Sequence, residues 1–366
     1  MRAVQITNVW PGDRLGRPIT DSYGRVLLQK GVIFTEKLIR KLEELHFSFV
    51  FIDDETTDGI IPQSGISESL RLEAIDNVRS AFRSIDGYVQ GHMNQYILER
   101  TVESIHRTVV DLTQAIKDND QIISIISDIF VYDNYLYVHS VNVGLYTIAL
   151  ANKLGFSDRQ IEEIGIGALL HDIGKMRVPQ SILNKPDKLS DMEYEVVKEH
   201  TTYGYNLLKD VPNLPPNISF CAYQHHERLN GSGYPLGIEG SNIHEYAKII
   251  AVADVFDAVT SNRVYRKGML PHEGLEILYS GSNGLFKKEY VDLFRKTISI
   301  YPNGAYVELN DGRRGIVADQ SKSIPDRPII RILEDKDMKL NMHEIYEIDL
   351  SVSPSVMISK CNTNPI

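Results

Sequence analysis

From about residue 122 to residue 297 one helical pattern follows another, with no convincing alternating strand, and this run predicts an all-α domain. Ionisable groups interrupt it where side chains should be dry. His171 and Asp172 close the segment "IEEIGIGALL", whose Ile164, Ala168 and Leu169 face a core, and Asp254 lies inside "KIIAVADVFDAV". An ionised carboxylate buried without a partner is costly, and the two usual remedies are ion pairing and metal coordination. One such pair would favour the ion pair. Here His139, His171, Asp172, His200, His225, His226 and Asp254 recur among the helical segments, and that many nitrogen and oxygen donors favour metal.

The donor count selects the kind of site. A single zinc is usually satisfied by four ligands, so a larger set suggests two ions with one carboxylate able to bridge them. Paired ions are a recurring device for phosphoester hydrolysis. The two cysteines, Cys221 and Cys361, are far apart and supply neither a disulfide framework nor a thiolate site. Their absence from the donor set argues against a structural zinc and leaves Fe, Mn, Ni and Zn open.

The 366 residues are enough for roughly two to three domains. The apolar runs fall short of the ~20 residues a spanning helix needs, and "MRAVQITNVWPGD" has no apolar signal core, so a cytoplasmic protein is expected. A net charge of −10 makes a nucleic-acid polymer or an anionic membrane an unfavourable partner, whereas a small anion could still bind where metal ions reverse the local potential.

Residues 1–57 read as a small α+β unit. Short strands around "GRPITDSYGRVLLQKG" precede a helix with Leu38, Leu42 and Leu45 at helical spacing, and the strand "SFVFID" follows. Residues 58–121 read as a linker, "DGIIPQSGI", and connecting helices, with apolar stripes Ile75, Val78, Phe82, Ile85 and Ile105, Val109, Leu112, Ile116. Residues 301–352 alternate around an Asn-Asp-Gly turn and predict a small β domain, with 353–366 as a tail. The expected class is mainly α: a helical bundle core, a small α+β domain before it and a small β segment after it.

Taken together, His139, "HDIGK" at 171–175, His200, "HHERLNGSGYP" at 225–235 and "ADVFDAVTSNRVYRKG" resemble, in order and spacing, the HD-GYP branch of the HD phosphohydrolase superfamily. The resemblance spans about 122–297. It implies that His139, His171, Asp172 and Asp254 hold one divalent ion and Asp172, His200, His225 and His226 the other, with Fe or Mn ahead of Ni or Zn. It also implies cyclic di-GMP as substrate, with Lys175 near the scissile phosphate, Asp133 working beside that lysine, and Arg263 and Arg266 contacting the nucleotide.

Two positions depart from the family pattern. Some members carry a Glu four residues before the first histidine and bind a third ion there; Tyr135 stands at that position here, which implies two ions and pGpG as main product, with slower cutting to GMP. The glycine loop opens with Asn230 where the family has Asp, which keeps turn-forming ability and removes a charge. Gly231 and Gly233 permit positive φ and close backbone approach, so the loop would wall the cleft and present Tyr234 to a guanine or a regulatory partner. A binding module that holds the dinucleotide without cutting it, and a hydrolase of another cyclic dinucleotide such as 3′,3′-cGAMP, are the competing functions. A homodimer and regulation of the core by the flanking domains complete the expectations.

Overall fold

The computed structural model describes residues 1–20, 25–45, 47, 49–61, 66–118, 135–185, 187–261, 269–282, 284–321, 324, 326–336 and 338–362. At the N-terminal end, strand β1 (Arg2–Gln5) runs antiparallel to a later strand β4 (Phe49–Ile52), and the short β2 (Ile19–Thr20) pairs with β3 (Val26–Leu28). Helix α1 (Glu36–Glu44) starts where the Thr35 hydroxyl accepts from Leu38 N. Leu42 of α1 joins Val4, Leu15, Phe34 and Ile52 in a small core. Leu45, read as part of the same stripe, lies beyond the last helical turn and is exposed.

The long helices α2 (Glu68–Val89) and α3 (Gln95–Asp118) lead to α4 (Tyr135–Lys153) and α5 (Asp158–Leu170). Both apolar stripes of α2 and α3 are buried, and they belong to the same core cluster as Val141, Ile148, Ile164 and Phe256. The connecting helices expected within 58–121 therefore pack into the same core as the bundle. At about 1.5–3 kcal/mol for each large apolar side chain removed from water, this face binds α2 and α3 firmly to the bundle. After α5 a tight turn, Ile173–Arg177, leads to α6 (Gln180–Leu183), α7 (Asp191–Lys198), α8 (His200–Leu208) and α9 (Asn217–Gln224). Helix α10 (Glu245–Thr260) then crosses the middle, and α11 (Pro271–Gly281) and α12 (Lys288–Arg295) close the bundle. Residues 137–151 of α4 are buried without exception, the mark of a central helix rather than an amphipathic surface one. Among the described residues, no helix is long and apolar enough to cross a membrane.

The last unit is an antiparallel sheet of β5 (Tyr306–Leu309), β6 (Arg314–Asp319), β7 (Ile329–Asp335), β8 (Met338–Lys339), β9 (Tyr346–Asp349) and β10 (Ile358–Asn362). β10 corrects the expectation of a tail from 353 onward: it pairs with β5, and Cys361 is buried against that sheet. Residues 58–61, the described start of the expected linker, are tied to this sheet. Arg331 of β7 donates to the Thr56 and Asp58 carbonyls at 3.2 and 2.6 Å, Asn303 donates to Ile61 O, and Ile60 packs with Tyr306 and Ile316. These contacts join the first and last units of the chain.

Candidate metal centre

Most of the expected ligands arise at or near helix ends, with Asp254 the exception. His139 lies in the second turn of α4, His171 ends α5, and Asp172 opens the tight turn that follows. His200 opens α8, His225 and His226 follow α9, and Asp254 lies within α10. Apart from His226 on the rim, these side chains are almost wholly buried.

Four of the imidazoles are fixed through Nδ1. His171 donates to Ala168 O at 2.7 Å, His200 to Val197 O at 2.6 Å and His225 to the Cys221 and Ala222 carbonyls at 3.1 and 3.0 Å. A carbonyl oxygen only accepts, so each of these Nδ1 atoms carries the hydrogen and each Nε2 keeps its lone pair. His139 Nδ1 lies 2.7 Å from Asp257 Oδ2, which imposes the same tautomer. Asp257 is itself held, since its Oδ1 accepts from Asn142 Nδ2 at 2.9 Å and from the Ser261 hydroxyl at 3.0 Å. Arg71 of α2 reaches Asn142 Oδ1 at 3.3 Å, so a buried chain of polar contacts runs from α2 to His139.

The free ring nitrogens converge. His139 Nε2 is 3.2 Å from Asp254 Oδ1 and 3.5 Å from Asp172 Oδ2, and His171 Nε2 is 3.9 and 3.4 Å from the same two atoms. On the other side, Asp172 Oδ1 is 3.3 Å from His200 Nε2 and 3.8 Å from His225 Nε2. His226 Nδ1 lies 3.6 Å from Asp254 Oδ2. The donor atoms fall into two groups, His139, His171, Asp254 and Asp172, His200, His225, His226, each spanning less than 4.8 Å. Asp172 turns one oxygen toward each group.

These spacings suit metal better than ion pairs. Four donors placed tetrahedrally ~2.1 Å from an ion stand roughly 3.4 Å apart, whereas hydrogen-bonded pairs close to about 2.9 Å. His171 Nε2 and Asp172 Oδ1 are buried and make no hydrogen bond, an expensive arrangement unless a cation satisfies both. The residues therefore fit a pair of divalent ions.

Electrostatics sets which of these groups carry charge before any cation enters. Burial pushes the Asp172 carboxyl up, but the Lys175 ammonium and the surrounding imidazoles outweigh it and hold Asp172 well below the usual carboxylate range. Asp254 is likewise held down, against burial, by His139, His226 and His171. Burial drives His225 and His226 well below the ordinary histidine range, each pushed further by a neighbouring imidazole, which favours the neutral form that a metal needs. Burial opposes a charge on His139, yet Asp254 and Asp257 raise it to about 9; in the metal-free protein it carries a proton that a cation would displace.

Lys175 places its ammonium 2.5 Å from Asp172 Oδ2, on the bridging carboxylate itself. The Tyr135 ring stacks on His139 with centroids 5.8 Å apart, so an aromatic face covers that imidazole. Asp133, Arg263 and Arg266 lie outside the described residues.

The glycine loop leaves directly from His225 and His226. Glu227, to which the sequence reading gave no role, is buried and staples this loop: Oε1 accepts from Leu236 N at 2.7 Å and Gly237 N at 3.2 Å, and Oε2 from Ile238 N at 3.2 Å. Its position right after the paired histidines was the only available signal. Gly231 has φ +77°, whereas Gly233 is required by close approach, because a Cβ there would lie 2.5 Å from Arg228 N and from His226 O. Asn230 Oδ1 accepts from Ser232 N at 3.1 Å, the Asx turn that an aspartate would also make. Tyr234 is thereby set against His226, ring centroids 4.6 Å apart.

Two family models match the chain. Residues 125–286 match the family described as HD domain, and residues 306–364 match the KOW domain associated with HD domain. The cyclic di-GMP phosphodiesterase PA4108 of Pseudomonas aeruginosa is 43% identical over 188 residues, covering 51% of this chain and 45% of that protein. The cyclic di-GMP phosphodiesterase response regulator RpfG of Xanthomonas campestris is 42% identical over 144 residues, 39% of this chain and 38% of RpfG. The 3′3′-cGAMP-specific phosphodiesterase 3 of Vibrio cholerae is 34% identical over 169 residues, 46% of this chain and 36% of that enzyme. The matches thus span less than half the length of each relative.

Proposed function

We propose that this chain, whose residues 125–286 match the HD domain family, is a phosphohydrolase of the HD-GYP type that hydrolyses cyclic di-GMP to linear pGpG and, more slowly, to GMP. The observation that carries the reading is the bridging position of Asp172, with one oxygen toward His139 and His171 and the other toward His200 and His225. In this reading His139, His171, Asp172 and Asp254 hold one divalent ion and Asp172, His200, His225 and His226 the other, Fe or Mn ahead of Ni or Zn. When bound, such a pair polarises a phosphodiester and lowers the pKa of water at the site.

The rest falls to the protein's own groups. A water oxygen forms a bond to phosphorus and that water gives up one proton to solvent, while the bond from phosphorus to a ribose 3′ oxygen breaks and that oxygen leaves with a proton, giving a 5′ phosphate and a free 3′ hydroxyl. The Lys175 ammonium, close to the bridging carboxylate, offsets negative charge gathering on the phosphoryl oxygens. Asp133 with Lys175 delivers the proton to the departing oxygen. The buried carbonyl acceptors under His171, His200 and His225 keep those rings from rotating as charge changes. Tyr234, Arg263 and Arg266 contact the nucleotide. The same reading takes the protein to be cytoplasmic and able to dimerise, and it takes the Gly-Tyr-Pro loop as a contact for a regulatory partner.

The test is elemental analysis of anaerobically purified protein together with a cyclic di-GMP assay, wild type against Asp172→Ala. Loss of both metal and pGpG formation supports the reading, and a variant that retains either defeats it. A second reading, cleavage of 3′,3′-cGAMP, draws on the Vibrio cholerae relative named for that substrate. A panel of cyclic dinucleotides under identical conditions separates the two, and tight binding of cyclic di-GMP with no product would instead indicate a sensor.

A further inference from the structure

Helix α7 stands beside the metal centre and has no buried residue. Its fold is secured locally. Glu193 N donates to the Ser190 hydroxyl, the Glu193 carboxylate accepts from Ser190 N, and Lys185 pairs with the same carboxylate at 2.7 Å. Packing therefore does not account for what it displays: Tyr194, 46% exposed, and Lys198 one turn later.

These two side chains meet Tyr234 of the glycine loop. The Tyr194 and Tyr234 rings are edge to face with centroids 6.4 Å apart, and the Lys198 ammonium lies 4.9 Å from the Tyr194 centroid and 5.6 Å from that of Tyr234. Tyr234 in turn leans over His226 at 4.6 Å and lies 6.4 Å from His200, so the strip of rings is continuous with the metal ligands. Lys198 also pairs with Glu195 at 2.6 Å, but Glu195 is largely exposed, and a solvated ion pair of this kind gives way readily to a phosphate.

An aromatic face that reaches solvent at one end and a phosphoester site at the other, with a cation between its rings, is built to hold a nucleobase and a phosphate. Bases stack on such rings regardless of sequence, and an ammonium takes a phosphate oxygen or the O6 and N7 acceptors of guanine. We propose that Tyr194 and Lys198 form a subsite for the nucleotide of the cyclic substrate that is not being cut, with its purine on Tyr194 and its phosphate on Lys198. This rests on the phosphodiesterase reading above and adds to it: α7 sets affinity for a dinucleotide, while the metal ligands set the chemistry. Tyr194 and Lys198 are specificity residues that touch substrate away from the reacting phosphorus.

The test compares kcat/KM for cyclic di-GMP with kcat/KM for bis(p-nitrophenyl) phosphate, a diester without bases, on one metal-loaded preparation of each variant. The ratio is independent of how much of a preparation is folded. Tyr194→Ala should lower it about tenfold, mainly through KM, which corresponds to ~1.4 kcal/mol; Tyr194→Trp should restore it. Lys198→Met should lower it several-fold and weaken its dependence on salt. Calorimetric titration with pGpG, which needs no turnover, should show the same order of losses. Tyr96→Ala, at an exposed tyrosine of α3, should leave the ratio unchanged. Wild-type turnover of cyclic di-GMP with an unmoved ratio and unmoved pGpG affinity in both α7 variants overturns the subsite alone. A wild type that cleaves the base-free diester but neither binds nor cleaves cyclic di-GMP overturns the function and the subsite with it.

Discussion

Gly174 lies in the turn that presents Asp172 and Lys175, and its α-hydrogen faces the start of α8. A Cβ there would overlap the His200 carbonyl group and stand 2.5 Å from Gly204 N. Non-bonded carbon contacts are comfortable near 3.5–4.0 Å, so the turn and α8 would have to part by about 1 Å. Those two elements carry Asp172 and His200, whose donor atoms are 3.3 Å apart, and a metal site tolerates displacements of only about 0.5 Å. Gly174→Ala should therefore cost about 3 kcal/mol, the upper part of the range for overpacking, and lower Tm by roughly 6–12 °C. On the two-ion reading it should also release the ion assigned to Asp172, His200, His225 and His226. The matched control is Gly87→Ala in α2, where the nearest atoms to a new Cβ are those of Met93 at 3.7 Å; replacing a helical glycine there should stabilise by about 0.5–1 kcal/mol. Thermal melts with and without Mn²⁺, paired with elemental analysis after dialysis, read both effects. A Gly174→Ala protein that melts with the wild type and keeps its full complement of metal would refute the argument that the turn and α8 are held at contact distance.

Asp257→Asn presents an amide in place of the carboxylate that orients His139, and metal affinity measured by competition with a chelating dye should fall about 10–100-fold, with the loss confined to one of two ions; unchanged affinity would remove Asp257 from the site. Glu227→Gln cannot accept from all three loop N–H groups, and it should cost about 1.5–3 kcal/mol and speed hydrogen exchange at Leu236, Gly237 and Ile238 before it affects the helices. Uniform exchange across loop and bundle would contradict the staple. Lys185 and the Ser190 cap lower Glu193 from an ordinary value of 4.5 to about 2. Because the folded value is depressed, its support for α7 is present above pH ~4.5 and is lost as pH falls through ~2, so an NMR titration of the Glu193 carboxyl carbon should show a midpoint near 2. A midpoint near 4.5 would mean that the cap is open in solution.

Helical periodicity and the anomaly of acids and imidazoles inside apolar runs made the bundle and its donors legible in the sequence, because both signals are contained in windows of a dozen residues. The apolar stripes of α2 and α3 were equally plain, but their partner was not, and only the packing shows that they share a core with α4 and α5. β10 is not legible from its own residues for a related reason: it carries a register shift and gains strand character only by pairing with β5, some fifty residues earlier. Residue types alone could specify neither the acceptor beneath each imidazole, and hence its tautomer, nor Glu227 as the anchor of the glycine loop, nor the meeting of Tyr194 and Lys198 with Tyr234. Hydrogen-bond partners and ring contacts at a few ångströms depend on how helices cross and where loops return, and those distances exist only once the whole core has closed.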